Sequence, residues 1–229
     1  MEYCAFRAPI DNDRYIVEQW RAAGYDRIRP RVYSCNIQDN IICLKLSLAA
    51  AAVRPVMILD LQWTVGVNGM LHCRIDAFRG EKMPWLPRFG LVLPLTEDQN
   101  RVLYYGVGPE ESYVDSHHAS WLSAFETTAR NMGYSYLRPQ EAGNRWNCWD
   151  VKVGEIRVVS ETPFSFKASP YSIAQLTEIK HNYELPQSEA VYFHIDYKMS
   201  GLGSASCGPE LQKKYRLDED NFHWEFVIQ

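Results

Sequence analysis

The chain has 229 residues, 46% hydrophobic and 13% aromatic, with a formal net charge of −4. That length suits one large domain with a sizeable core, and Lys and Arg are scattered rather than gathered into a stripe, which argues against a nucleic-acid partner. No apolar run reaches the roughly 18 residues of a membrane span, and the six cysteines form no C-x-x-C pair of the kind that serves zinc or thioredoxin chemistry.

In chain order, Ile16, Val17 and Trp20 fall at helical spacing within residues 15–23, and Gly24 supplies a stop. From Arg31 onward the pattern changes to period two. Residues 31–37 and 41–50 read as strands joined by the turn Gln38-Asp39-Asn40. The longest apolar run, residues 44–53, contains Lys45 and also reads as strand. Residues 56–67 and 70–78 flank Asn68-Gly69, a strong hairpin signal. Further strands are expected at 89–95, 102–106, 146–153, 156–160 and 164–168, with Gly154 in a turn. Ser172-Ile173-Ala174-Gln175 matches a capping box, so a helical turn through Ile179 is expected. Residues 191–197 and 222–228 alternate, the latter with Phe222, Trp224, Phe226 and Ile228 on one face. Many short strands with little helix between them predict antiparallel sheets packed as a sandwich, in one domain spanning residues 1–229. Cys4, Cys35, Cys43, Cys73 and Cys148 lie in or near apolar stretches and read as buried free thiols.

Three blocks follow one another between residues 86 and 145: Leu86-Pro87-Arg88-Phe89-Gly90-Leu91, then Tyr104-Tyr105-Gly106-Val107-Gly108-Pro109-Glu110-Glu111-Ser112-Tyr113-Val114-Asp115, then Tyr136-Leu137-Arg138-Pro139-Gln140-Glu141-Ala142-Gly143-Asn144-Arg145. Arg7-Ala8-Pro9-Ile10-Asp11-Asn12-Asp13 precedes them. Pro163-Phe164-Ser165-Phe166-Lys167-Ala168-Ser169-Pro170-Tyr171, the stretch from His181 to Pro186, Asp196-Tyr197-Lys198 and Gly201-Leu202-Gly203-Ser204-Ala205-Ser206-Cys207-Gly208-Pro209 follow them. In this order and spacing they resemble the C-terminal β-sandwich domain of glycoside hydrolase family 2 β-galactosidases, which some bacteria make as a separate small chain. The resemblance implies a galactose-mutarotase-like supersandwich and a part in hydrolysing terminal β-D-galactose residues. It implies no catalytic residue here, because the family's acid/base and nucleophile lie on a barrel domain. It also implies that the partners are the remaining domains or large subunit and a galactoside. The Mg and Na ions often used by the family would be bound mainly by those other domains, with no cofactor held by this chain.

In the family, the glycine-rich loop after aspartate-tyrosine-lysine reaches towards the active site, and in some members its tryptophan stacks on the sugar. Here Cys207 follows Ser206 and offers no ring face. The loop is left to shape the pocket through its backbone, and the plainer alternative is a strand connection with Gly201 and Gly203 at positive φ. The resemblance thus implies a substrate-facing set of Gly203, Ser204, Ser206 and Cys207, with His181, Arg138, Glu141 and Asn144 from the other blocks. The chain lacks a signal peptide, which favours the cytoplasm. In the family the opening block lies deep inside a longer polypeptide, so any targeting segment would be upstream.

Retaining glycoside hydrolysis needs two carboxyls roughly 5–5.5 Å apart. Glu110 and Glu111 are neighbours and would point to opposite faces of a strand. Glu141, between Arg138 and Arg145, reads as an ion pair fixing a loop. Asp11 and Asp13 flank Asn12 in a turn composition. His117 and His118 would diverge on a strand, which argues against shared metal ligation. Trp121, Trp146, Trp149 and Trp224 are candidates for a sugar platform, although tryptophans at strand spacing, Trp224 above all, suit a core. Two other readings compete: an aldose 1-epimerase-like enzyme using His181 or His194 with a glutamate, and a free-standing carbohydrate-binding module.

Overall fold

In the computed structural model, which describes residues 1–187 and 189–229, the chain is almost entirely strand and turn. Among the described residues the strands are β1 (Glu2–Cys4), β2 (Arg29–Gln38), β3 (Ile41–Ala49), β4 (Met57–Val65), β5 (Leu71–Arg79), β6 (Arg88–Thr96), β7 (Arg101–Gly108), β8 (Trp121–Thr128), β9 (Arg145–Val153), β10 (Ile156–Ser169), β11 (Ala190–Met199) and β12 (Asn221–Ile228). Three short α-helices among the described residues interrupt them: α1 (Val17–Ala22), α2 (Ala129–Met132) and α3 (Ile173–Glu178). All of the strand pairings are antiparallel. This is the all-β sandwich that the alternating patterns predict. No helix among the described residues is long and apolar enough to cross a membrane.

β10 joins the halves of the architecture. Val158 and Val159 pair with β9 on one side and β12 on the other, whereas residues 165–169 pair with β11. From β12 the sheet continues through β5, β4 and β3 to β2 at its edge, and from β11 it continues through β6 to β1. β9 leads to β7 and then β8. Apolar side chains from these arms meet in one core that includes Leu59, Ile75, Phe89, Phe166, Phe193 and Trp224. β12 shows the period-two logic directly: Phe222, Trp224, Phe226 and Ile228 are buried while His223 and Glu225 are exposed.

Several elements differ from expectation for physical reasons. The two strands expected at 156–160 and 164–168 are one strand, with Pro163 lying where the register to β9 shifts. Proline ordinarily marks a bulge or an edge, so the sequence pattern breaks there although the strand does not. β8 is absent from the predicted set, because its solvated edge carries no clean alternation. Cys35 and Cys43 are exposed rather than buried, while Cys4, Cys73 and Cys148 are buried as expected. His117 and His118 lie outside the strands and do not diverge. Their rings stack at 4.8 Å, and His117 stacks on Trp146 at 4.3 Å.

Candidate functional site: an anchored loop over a buried ion network

β11 ends at Met199, and residues 200–211 form a long loop before β12. Three side chains from distant parts of the chain grip its backbone. Arg7, fully buried, donates from Nη1 to the carbonyls of Ser200 (2.9 Å) and Gly201 (3.1 Å), and from Nη2 to Gly201 (3.1 Å). Asn12 donates to the Gly203 carbonyl (2.8 Å) and accepts from the Ser206 amide (2.9 Å). Asp115 accepts from the amides of Leu202 (2.9 Å) and Gly203 (2.8 Å). Hydrogen bonds to charged groups are worth about 1.5–3 kcal/mol each, so Arg7 and Asp115 define the loop's path far more firmly than a plain strand connection requires.

The anchors are themselves fixed. Asp13 pairs with Arg7 at 2.6 and 3.0 Å, and Arg7 lies over the ring of Trp20. Trp20, on α1, is completely buried and donates its indole N–H to the Trp85 carbonyl at 2.9 Å. Of Gly201 and Gly203, only Gly203 has positive φ, at +68°. Gly201 is required for a different reason: a Cβ there would collide with the Asp115 carboxylate.

Two clefts flank the loop. One, of about 180 Å³, is lined by Arg7, Asn12, Tyr15, Trp85, Gly203 and Leu211. The other, of about 430 Å³, is lined by Asp11, Arg14, Arg21, Arg138 and Ser206. The structure therefore places Arg138 and Ser206 on the lining of one cleft. Ser204 and Cys207 are exposed, and the Ser204 carbonyl accepts from the amides of Cys207 (3.2 Å) and Gly208 (2.7 Å) in a tight turn.

Glu141 and Asn144 are placed elsewhere. Glu141 is buried and binds Lys167 at 2.7 Å, with Arg88 at 3.6 Å from its second oxygen. Its partners are thus not Arg138 or Arg145, its neighbours in sequence. Arg88 also pairs with Asp196 on β11. Burial pushes the Glu141 pKa up, but Lys167 and Arg88 outweigh it and hold the carboxyl below its ordinary value. Burial raises the pKa of Asp196, and Arg88 offsets this only in part. Asn144 is buried too, donating to the Ser112 carbonyl at 2.8 Å. His181 lies on the surface beside Glu184, with its Nδ1 3.3 Å from the carboxylate.

Glu111, weighed in the sequence only as a candidate carboxyl on a strand, lies in the loop after β7 and is held by a set of hydrogen bonds. It accepts from the Gly143 amide (2.7 Å) and from the hydroxyls of Tyr136 (3.0 Å) and Tyr113 (3.3 Å). Tyr113 is two residues from it, but Tyr136 and Gly143 are 25 and 32 residues away, which no local pattern signals.

Chemically, the loop can present backbone and small polar groups to a ligand. Glu141 and Asp196 are sealed from solvent by their ion pairs. Asp13 and Glu210 line the smaller cleft, and they are paired with Arg7 and Arg216 respectively. Among the described residues, no group of three or more His, Cys, Asp or Glu side chains comes together that could hold a metal ion.

Residues 1–228 match the family described as "Beta galactosidase small chain". The chain belongs to the β-galactosidase small-chain family. It is 41% identical to a β-galactosidase of Actinobacillus pleuropneumoniae over 232 residues, covering all of this chain and 23% of that protein. A Staphylococcus xylosus β-galactosidase is 40% identical, covering 98% of this chain and 23% of its own length. The small chain thus spans about a quarter of the length of these curated relatives. A GalM/aldose epimerase homologue from C. elegans aligns with 90% of this chain and 68% of its own, at 8% identity and a TM-score of 0.36, a likeness too loose to carry an argument. The epimerase alternative is not favoured: His194 is 1% exposed, and the curated relatives are β-galactosidases.

Proposed function

We propose that this chain is the small-chain part of a β-galactosidase that hydrolyses terminal non-reducing β-D-galactose residues, and that it is inactive alone. The observation that carries this reading is the match of residues 1–228 to the small-chain family, in relatives about four times longer. In this reading the catalytic carboxylates, and the Mg and Na ions the family resemblance implies, belong to the remainder of the enzyme. The chain contributes the wall of the sugar pocket formed by residues 201–209, with Arg138 at its side.

The anchoring supports that role, because a pocket wall must hold its position to within a fraction of an ångström. Arg7, Asn12 and Asp115 fix the loop's backbone while leaving Ser204 and Cys207 exposed to an incoming ligand. The test is made in the assembled enzyme with a chromogenic β-galactoside. Cys207→Trp supplies a ring face for the sugar and should lower KM by about fivefold, the worth of roughly 1 kcal/mol of stacking. Cys207→Ala should leave KM unchanged. Identical kinetics for the two variants would place the loop away from the substrate.

A further inference from the structure

β2 presents an anomaly in an otherwise well-packed sheet: all ten of its residues are exposed. The register shows which side each one occupies. Val32 pairs with Leu46, which pairs with Leu59, then Ala77, then Phe222. Cys35 heads the row Leu44, Leu61, Ile75, Trp224, and Ile37 heads the row Ile42, Trp63, Cys73, Phe226. Residues directly opposite one another in antiparallel strands share a face. Val32, Cys35 and Ile37 therefore lie on the same face as the buried core residues Leu46, Leu59, Leu61, Ile75 and Trp224. The core-forming face of the sheet runs on past the core, and its last strand is left bare. Val32 is 54% exposed and Ile37 70%.

We infer that the core-side face of β2, centred on Val32, Cys35 and Ile37, is a docking surface for the remainder of the β-galactosidase polypeptide. The inference rests on the small-chain reading given above. Two observations choose this occupant. The relatives carry about three quarters of their length outside the part that this chain matches, so a large partner is at hand. The edge of β2 also discourages strand-to-strand pairing with a second copy, because Pro30 lacks an amide N–H and the register is broken at Tyr33. A partner is thereby directed across the face rather than along the edge. Removing such apolar side chains from water favours association.

The strand carries its own probes. Cys35 is exposed on the core-side face, and Cys43, also exposed, lies on the opposite face of β3, in the row with Asn36. The experiment mixes this chain with the Actinobacillus pleuropneumoniae β-galactosidase truncated to remove its matching part. β-Galactosidase activity reports whether the two assemble. Iodoacetamide labelling, read by mass spectrometry, reports which thiols become covered. The inference expects an active complex in which Cys35 labels about tenfold more slowly or less while Cys43 is unchanged. It also expects Ile37→Asp to raise the concentration of chain needed for half-maximal activity about tenfold, and Asn36→Asp to leave it unchanged, with both variants unfolding at the wild-type midpoint. An active complex with Cys35 labelling at its free rate overturns the docking surface and leaves the functional reading standing. Protection of Cys35 in the chain alone, growing with its concentration, assigns the surface to a second copy and overturns the stated occupant. Failure to form any active complex overturns the functional reading and the inference with it.

Discussion

In the interior, Arg88, Glu141, Lys167 and Asp196 form three buried ion pairs, two of which share the Arg88 guanidinium. Removing one partner of a buried pair leaves an uncompensated charge, at a cost of about 3–5 kcal/mol. Glu141→Gln should therefore lower the free energy of unfolding by about that amount in a urea titration, and a loss below about 1 kcal/mol would contradict the pairing. His194 lies in the same interior. Its ring nitrogens have no hydrogen-bond partner among the described residues, and burial, followed by Arg88 and Lys167, holds its pKa well below the ordinary value. The folded state therefore keeps this ring neutral where the unfolded chain would protonate it. The stability it contributes is fully present above about pH 6.5 and is lost as pH falls towards the lowered value, by up to about 1.4 kcal/mol per pH unit. His194→Met should flatten the fall in urea midpoint between pH 6.5 and pH 5, and an unchanged slope would assign that fall to other groups.

At the scale of elements, the loop of residues 200–211 owes its shape to side chains far from it in sequence. Asp115→Ala removes the acceptor for two loop amides. In the assembled enzyme it should lower kcat/KM by about a hundredfold, the order expected when a pocket element shifts by about an ångström. Glycine at 201 is equally specific. Gly201→Ala should reproduce the Asp115→Ala defect, because its methyl group would displace the carboxylate. Wild-type kinetics in either variant would show that the loop's position is set elsewhere. Much of the strand pattern was legible in the sequence, since the alternation of residues 222–228 and the Asn68-Gly69 turn are local signals. The capping box at Ser172 was legible too, and it forms with reciprocal bonds to Gln175. β8 escaped because a half-solvated edge strand loses its alternation. The grip of Arg7, Asn12 and Asp115 on the loop was not legible, because those contacts span from 87 to 194 residues of sequence. Motif order marked the loop as a candidate site, but it could not tell that Arg138 and Ser206 line one cleft while Glu141 turns inward to Lys167.

The whole molecule pairs two unlike surfaces. One carries the anchored loop and its two clefts; the other is the bare end of a core-forming sheet face at β2. Both fit the proposals made above, the loop as a wall of the assembled enzyme's pocket and the sheet face as a docking surface. Glu141 and Asp196 are engaged in buried ion pairs that hold the interior together. The most direct measurement is hydrolysis of a chromogenic β-galactoside by the purified chain, first alone and then mixed with a β-galactosidase polypeptide lacking its small-chain part. The account predicts no turnover from either component and turnover on mixing. Turnover by this chain alone would contradict it, and would demand a carboxylate pair on the sandwich that these ion pairs do not leave free.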